Sequence, residues 1–116
     1  MNLEEHYRKV YDPQSPGYLA MVDALTTLRR YCKQKGIRTY LAMTPDVHNL
    51  KDYKFGYIHQ ILAKLSKNLG FSFVDLYPGL SGLVPEEIWS MPGDPHPNAL
   101  GHRKMAQQLF PILHAF

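Results

Sequence analysis

Apolar residues recur at steps of three and four in three stretches of the chain. Tyr18, Val22, Leu25, Leu28 and Cys32 form one stripe and predict an amphipathic helix over about 17–35. Gly36 stops it, with Lys33 and Lys35 in the last turn, where cations offset the helix dipole. Phe55, Ile58, Leu62, Leu65 and Leu69 predict a second helix over about 53–69, ended by Gly70. Leu100, Ala106, Leu109 and Leu113 predict a last helix over about 98–114, which Pro111 kinks or ends. Between them, Ile37 to Met43 and Phe71 to Leu76 are short runs of strand formers, closed by Thr44-Pro45 and Tyr77-Pro78-Gly79. Residues 1–16 form a polar N-terminal segment that runs into a loop of two prolines and a glycine. Residues 77–97 carry five prolines and predict a long loop, the kind that is more often functional than not.

A strand, a helix and a second strand joined at glycines predict a parallel crossover. The expected fold is therefore one α/β domain over 1–116, a partial flavodoxin-like three-layer arrangement with about two parallel strands and about three helices. Two parallel strands leave two open edges, and stable sheets usually have three or more. The sheet is thus expected to be incomplete, with its missing strands supplied by upstream sequence, a partner chain or a second copy in a homo-oligomer. A three-helix layer over a minimal sheet is the plainer alternative.

Composition narrows the function classes. The 116 residues are 45% hydrophobic and 20% charged, which excludes a disordered chain and a collagen-like repeat. No uninterrupted apolar run is long enough to span a membrane. The charged N-terminus lacks the apolar core of a secretory signal, so a cytoplasmic setting is expected. The net charge of +3 is mild. Its densest cluster, Arg29-Arg30, Lys33 and Lys35, reads as a solvated helix face, and no nucleic-acid partner is expected. The single cysteine, Cys32, lies on the apolar side of its helix and is expected to be buried and inert.

Chemistry concentrates in Gly93-Asp94-Pro95-His96-Pro97-Asn98. The prolines fix φ and hold Asp94 and His96 in place at low entropic cost. Asn98 is suited to cap the following helix. A carboxylate beside an imidazole fixes its tautomer and stabilises the imidazolium formed when it takes a proton. Trp89 and Met91 flank this segment as possible walls of a substrate pocket, and His48, beside Asp46, is a third substrate-binding candidate. The spacings of His48, Asp94, His96 and His102 match no ordinary zinc pattern, so neither metal nor cofactor is expected.

The segment from Asp94 to His102 resembles the last sequence block of the SGNH/GDSL hydrolase superfamily, in which an Asp and a His precede Pro-Asn and a helix. Leu41-Ala42-Met43-Thr44-Pro45 and Val74-Asp75-Leu76 resemble its preceding strands, in the right order, so the likeness runs over about residues 15–114. It implies a Ser-His-Asp hydrolase of acyl esters, or an acyltransferase of related build, with His96 as general base and Asp94 as its orienting carboxylate. The chain departs from that pattern in two ways. Asp94 and His96 are two apart where the family commonly has three, and the Gly-Asp-Ser nucleophile block, the oxyanion glycine and the Gly-x-Asn-Asp block have no match. Of the serines only Ser90 is a candidate nucleophile, a weak one, six residues before His96. The resemblance is thus to the C-terminal half of such an enzyme, inactive alone. The competing reading is a non-catalytic module that kept the fold remnant and pairs through its sheet edges.

Overall fold

Asn2 and Ser15 start the first two helices. The Asn2 side chain accepts the Glu5 amide at 2.8 Å, and α1 runs Leu3–Val10. The Ser15 hydroxyl accepts the Tyr18 amide at 3.2 Å, and α2 runs Pro16–Gln34, with Pro16 in the first turn, where a missing N–H costs nothing. The computed structural model describes residues 2–114. After α2 come β1 (Tyr40–Met43), α3 (Gly56–Leu69) and β2 (Ser72–Asp75). Then follow α4 (Tyr77–Leu80), α5 (Pro85–Ile88), β3 (Trp89–Met91), β4 (Asp94–Pro97) and α6 (Ala99–Leu113). The protein is mixed α/β, as the hydrophobic pattern predicts.

β1 pairs with β2 in a two-stranded sheet. The Ser72 amide bonds the Thr39 carbonyl at 3.1 Å and the Leu76 amide bonds the Met43 carbonyl at 3.0 Å. Both bonds span the same sequence separation, which is the mark of a parallel pair. β3 and β4 form a second two-stranded sheet, an antiparallel hairpin.

The residues gather into two compact units, one of residues 1–41 and 56–73, the other of 42–55 and 74–116. In the first, α3 buries Ile58, Leu62 and Leu65 at helical spacing, and Cys32 and Phe71 are buried as well. Ser66, fully buried, satisfies its hydroxyl on the Leu62 carbonyl at 2.7 Å. In the second unit Val47, Leu50, Phe55, Val74, Leu76, Leu80, Ile88 and Met105 are the buried apolar set. Among the described residues, no helix is long and apolar enough to cross a membrane.

Two segments hold more structure than their sequence suggests. The polar N-terminal segment contains α1, which has no buried residue. Its helix is set by the Asn2 cap, by Glu4 and Glu5 in the first turn against Arg8 and Lys9 in the last, and by a short apolar stripe of Leu3, Tyr7 and Val10. The proline-rich stretch 77–97 is folded into α4, α5 and the β3–β4 hairpin. Proline does not break these pieces: Pro78 and Pro85 lie in first turns, Pro92 with Gly93 makes the hairpin turn, and Pro95 and Pro97 lie on β4, which is paired on one side only among the described residues.

Candidate functional site

Asp94 and His96 sit on β4, two residues apart on a strand. A strand turns alternate side chains to the same face, so this spacing places carboxylate and imidazole side by side. Asp94 Oδ1 meets His96 Nδ1 in a hydrogen bond. The turn that starts β4 is Pro92-Gly93, with Gly93 at φ 80°, the left-handed geometry that glycine enters freely at this position of a tight turn. Across the hairpin, Ser90 on β3 donates its hydroxyl hydrogen to Asp94 Oδ2 at 2.9 Å. Asp94 thus has one oxygen on the imidazole and the other on a serine.

This arrangement holds the Asp94 carboxyl below the usual carboxylate range. The His96 bond is the larger cause and the Ser90 bond the next. The Asp94 side chain is 36% exposed and that of His96 82%, so the imidazole stands at the surface with Asp94 as its hydrogen-bond partner among the described residues.

The hairpin is fastened to α6 by Asn98. Its amide bonds the Ile88 carbonyl at 2.7 Å, and its side-chain oxygen accepts the Gly101 amide at 3.1 Å, capping the helix as expected. Its side-chain nitrogen donates to the carbonyls of Glu87 at 2.9 Å and Trp89 at 3.1 Å. Gly101 lies so close beneath that a Cβ there would come within 3.1 Å of Pro97 Cβ. Its role is close approach of helix and hairpin.

The loop 44–55, in the same unit, carries the other candidates. Asp46 Oδ1 accepts the His48 backbone amide at 3.0 Å and lies 2.7 Å from His48 Nδ1. Trp89 reaches this loop: its indole nitrogen donates to the Val47 carbonyl at 2.8 Å. Tyr77 donates its hydroxyl to the Leu50 carbonyl at 3.2 Å and stacks on Tyr53 with ring centres 4.4 Å apart. Trp89 therefore ties the His96 hairpin to the Asp46–His48 loop. Met91, 61% exposed, sits beside the hairpin turn.

Ser72 lies on β2, and the other three remaining serines have structural duties. Ser15 caps α2, Ser66 is buried on its own helix, and Ser81 donates to the Pro78 carbonyl at 3.1 Å. Ser90 donates to the carboxylate and not to the imidazole, so its hydroxyl is a brace for Asp94 rather than a group poised to lose its proton to His96. That bracing role is not evident from the sequence: Pro92-Gly93 between two short runs is a hairpin signal, but it sets Met91 opposite Asp94, and the contact from Ser90 goes with an irregular register between Trp89 and Met91. No group of three or more His, Cys, Asp or Glu among the described residues is placed to hold a metal ion. No family model, curated protein or solved structure matches the chain.

Proposed function

We propose that the chain is the C-terminal portion of an SGNH-type ester hydrolase or acyltransferase. It supplies the imidazole and carboxylate of a Ser-His-Asp triad, while the nucleophile and oxyanion donors come from outside residues 1–116. The observation that carries this reading is the Asp94–His96 contact at Nδ1. A carboxylate there keeps the proton on Nδ1 and leaves the Nε2 lone pair to take a proton from an incoming hydroxyl. Asp94 stays ionised through the step and stabilises the imidazolium, which returns its proton to the leaving alkoxide. The depressed Asp94 pKa suits that duty, because the carboxylate must not itself take the proton. A base without a nucleophile and an oxyanion hole accelerates little, so the chain alone is inactive in this reading.

The test is hydrolysis of p-nitrophenyl acetate, by the chain alone and by the chain joined to the coding sequence upstream of it or mixed with a partner supplying the missing strands. The expected result is turnover only by the completed protein, abolished by His96→Ala. A completed protein unaffected by His96→Ala would overturn the role of His96. A burst from the chain alone that disappears with His96→Ala would place the nucleophile inside it.

A second reading, a non-catalytic module that pairs through its edges, draws on the β1–β2 sheet having two strands among the described residues. It requires an oligomer, and a clean monomer by light scattering at high concentration counts against it.

A further inference from the structure

Within the first unit, an open cleft of about 380 Å³ lies between the C-terminal ends of α2 and α3. Four cationic side chains line it: Arg29, Arg30 and Lys33 from α2 and Lys67 from α3. No carboxylate lines it, and none of the four forms an ion pair with a described carboxylate. Helix dipoles account for part of this charge, since Lys33 and Lys67 stand in last turns. They do not account for Arg29 and Arg30 facing the same space. Unpaired like charges repel, and a concave wall of one sign concentrates its field on whatever enters.

Arg29 is held in a fixed pose. Its Nε donates to the Gly70 carbonyl at 2.9 Å, while both terminal nitrogens make no bond to a described residue. Gly70 is the residue that permits this. It has φ 91°, and a Cβ there would stand 3.0 Å from Arg29 Nε. The guanidinium fork is thereby set in advance, which lowers the entropy lost when it grips an anion.

We propose that this cleft is a binding site for a compact, multiply charged phosphate group, with the Arg29 fork as its anchor and Arg30, Lys33 and Lys67 as neutralising cations. Four cations on one small site favour a phosphomonoester or diphosphate over a single carboxylate. No aromatic ring lines the cleft, so nucleobases have nothing to stack on and the recognition is of phosphate rather than of nucleic acid.

The experiment is an NMR titration of the isotopically labelled chain at constant ionic strength, with pyrophosphate as probe and acetate as monoanion control. The expected result is a saturable shift of the Arg29 Nε–H and Gly70 amide signals with pyrophosphate alone. Arg29→Lys keeps the charge but loses the fork, and should weaken binding about tenfold. The double variant Arg30→Gln with Lys67→Gln touches only exposed side chains and should weaken it further, so the test survives even if a change at Arg29 disturbs the fold. Co-sedimentation with phosphatidic acid vesicles, competed by pyrophosphate, would identify a lipid headgroup as the source of the phosphate. Saturable pyrophosphate binding without vesicle binding would identify a soluble one. Equal, non-saturating responses to pyrophosphate and acetate, or variants that bind as tightly as the parent chain, would overturn the proposal.

Discussion

The second unit contains the same Asp-x-His spacing twice, at Asp46–His48 and at Asp94–His96, and builds it in two different ways. In the loop, Asp46 Oδ1 takes both the backbone amide and the ring nitrogen of His48, a turn of the kind short acidic side chains make. On the hairpin, strand geometry sets Asp94 and His96 on one face, and the second carboxylate oxygen is taken by Ser90 from the neighbouring strand. The Asp46 side chain is 11% exposed and the Asp94 side chain 36%. The first pair shapes a loop. The second is a strand carboxylate with a cross-strand serine on its other oxygen, holding an imidazole that stands 82% exposed, so backbone and exposure distinguish the two pairs. An aspartate and a histidine two apart in sequence therefore say little until the backbone between them is known.

The sharpest way to break that distinction is activity. If the proposed triad operates in the completed protein, His96→Ala should lower kcat/KM by a factor of about 10²–10⁴, the usual contribution of a general base. His48→Ala should cost less than about tenfold, the size of a positioning effect, with its change confined to KM. Equal losses would mean that the loop pair, and not the hairpin pair alone, handles protons.

Stability gives the next largest effect. Trp89 joins the two pairs through its bond to the Val47 carbonyl, and Val47 is only 2% exposed. Trp89→Phe keeps a ring but leaves that carbonyl without its donor, which should cost about 1–3 kcal/mol. Urea unfolding followed by circular dichroism measures it, since Trp89 is the sole tryptophan and its fluorescence leaves with the substitution. An unchanged midpoint would show that the loop stands without the hairpin.

Asp94→Asn discriminates by chemistry. An amide presents one oxygen and one nitrogen where the carboxylate presents two oxygens, so it cannot accept from both Ser90 and His96. Nitrogen-15 shifts should report the Nδ1–H tautomer of His96 in the parent chain and a mixture in the variant. A single unchanged tautomer in Asp94→Asn would mean that something other than Asp94 fixes the ring.

Much of this architecture can be read from periodicity. The stripe through Tyr18, Val22, Leu25, Leu28 and Cys32 predicts α2 to within about a residue at each end, because the loop of two prolines and a glycine precedes it and Gly36 stops it. The strands are found as well, though each is shorter than its run of strand formers. The Asn98 cap follows from residue type alone. What the sequence conceals is structure without periodicity. α4, α5 and the hairpin are too short to show a repeat, and their prolines read as a loop when in fact they occupy first turns, the hairpin turn and the one-sided strand β4. The candidate site suffers most from this. Read as a loop, Asp94 and His96 are neighbours by proline stiffness. On a strand they are neighbours by pleat, and the cross-strand Ser90 enters the picture only then.

The smallest effect is also the most specific to the hairpin. Asp94 has a pKa below its ordinary value of about 3.9. A carboxyl depressed on folding stabilises the fold above its unfolded pKa, and that contribution fades as pH falls through the lower folded value. Removing a bond that favours the charged form moves the folded value back up. Ser90→Ala should therefore raise the Asp94 pKa, narrow the acid range over which the carboxylate survives, and leave the fold intact. The rise should stop short of the ordinary value, because the His96 bond is the larger cause and persists. Carbon-13 titration of the Asp94 carboxyl measures both points in one experiment. If Ser90→Ala leaves the midpoint where it was, the cross-strand hydroxyl is a bystander to the Asp94 charge.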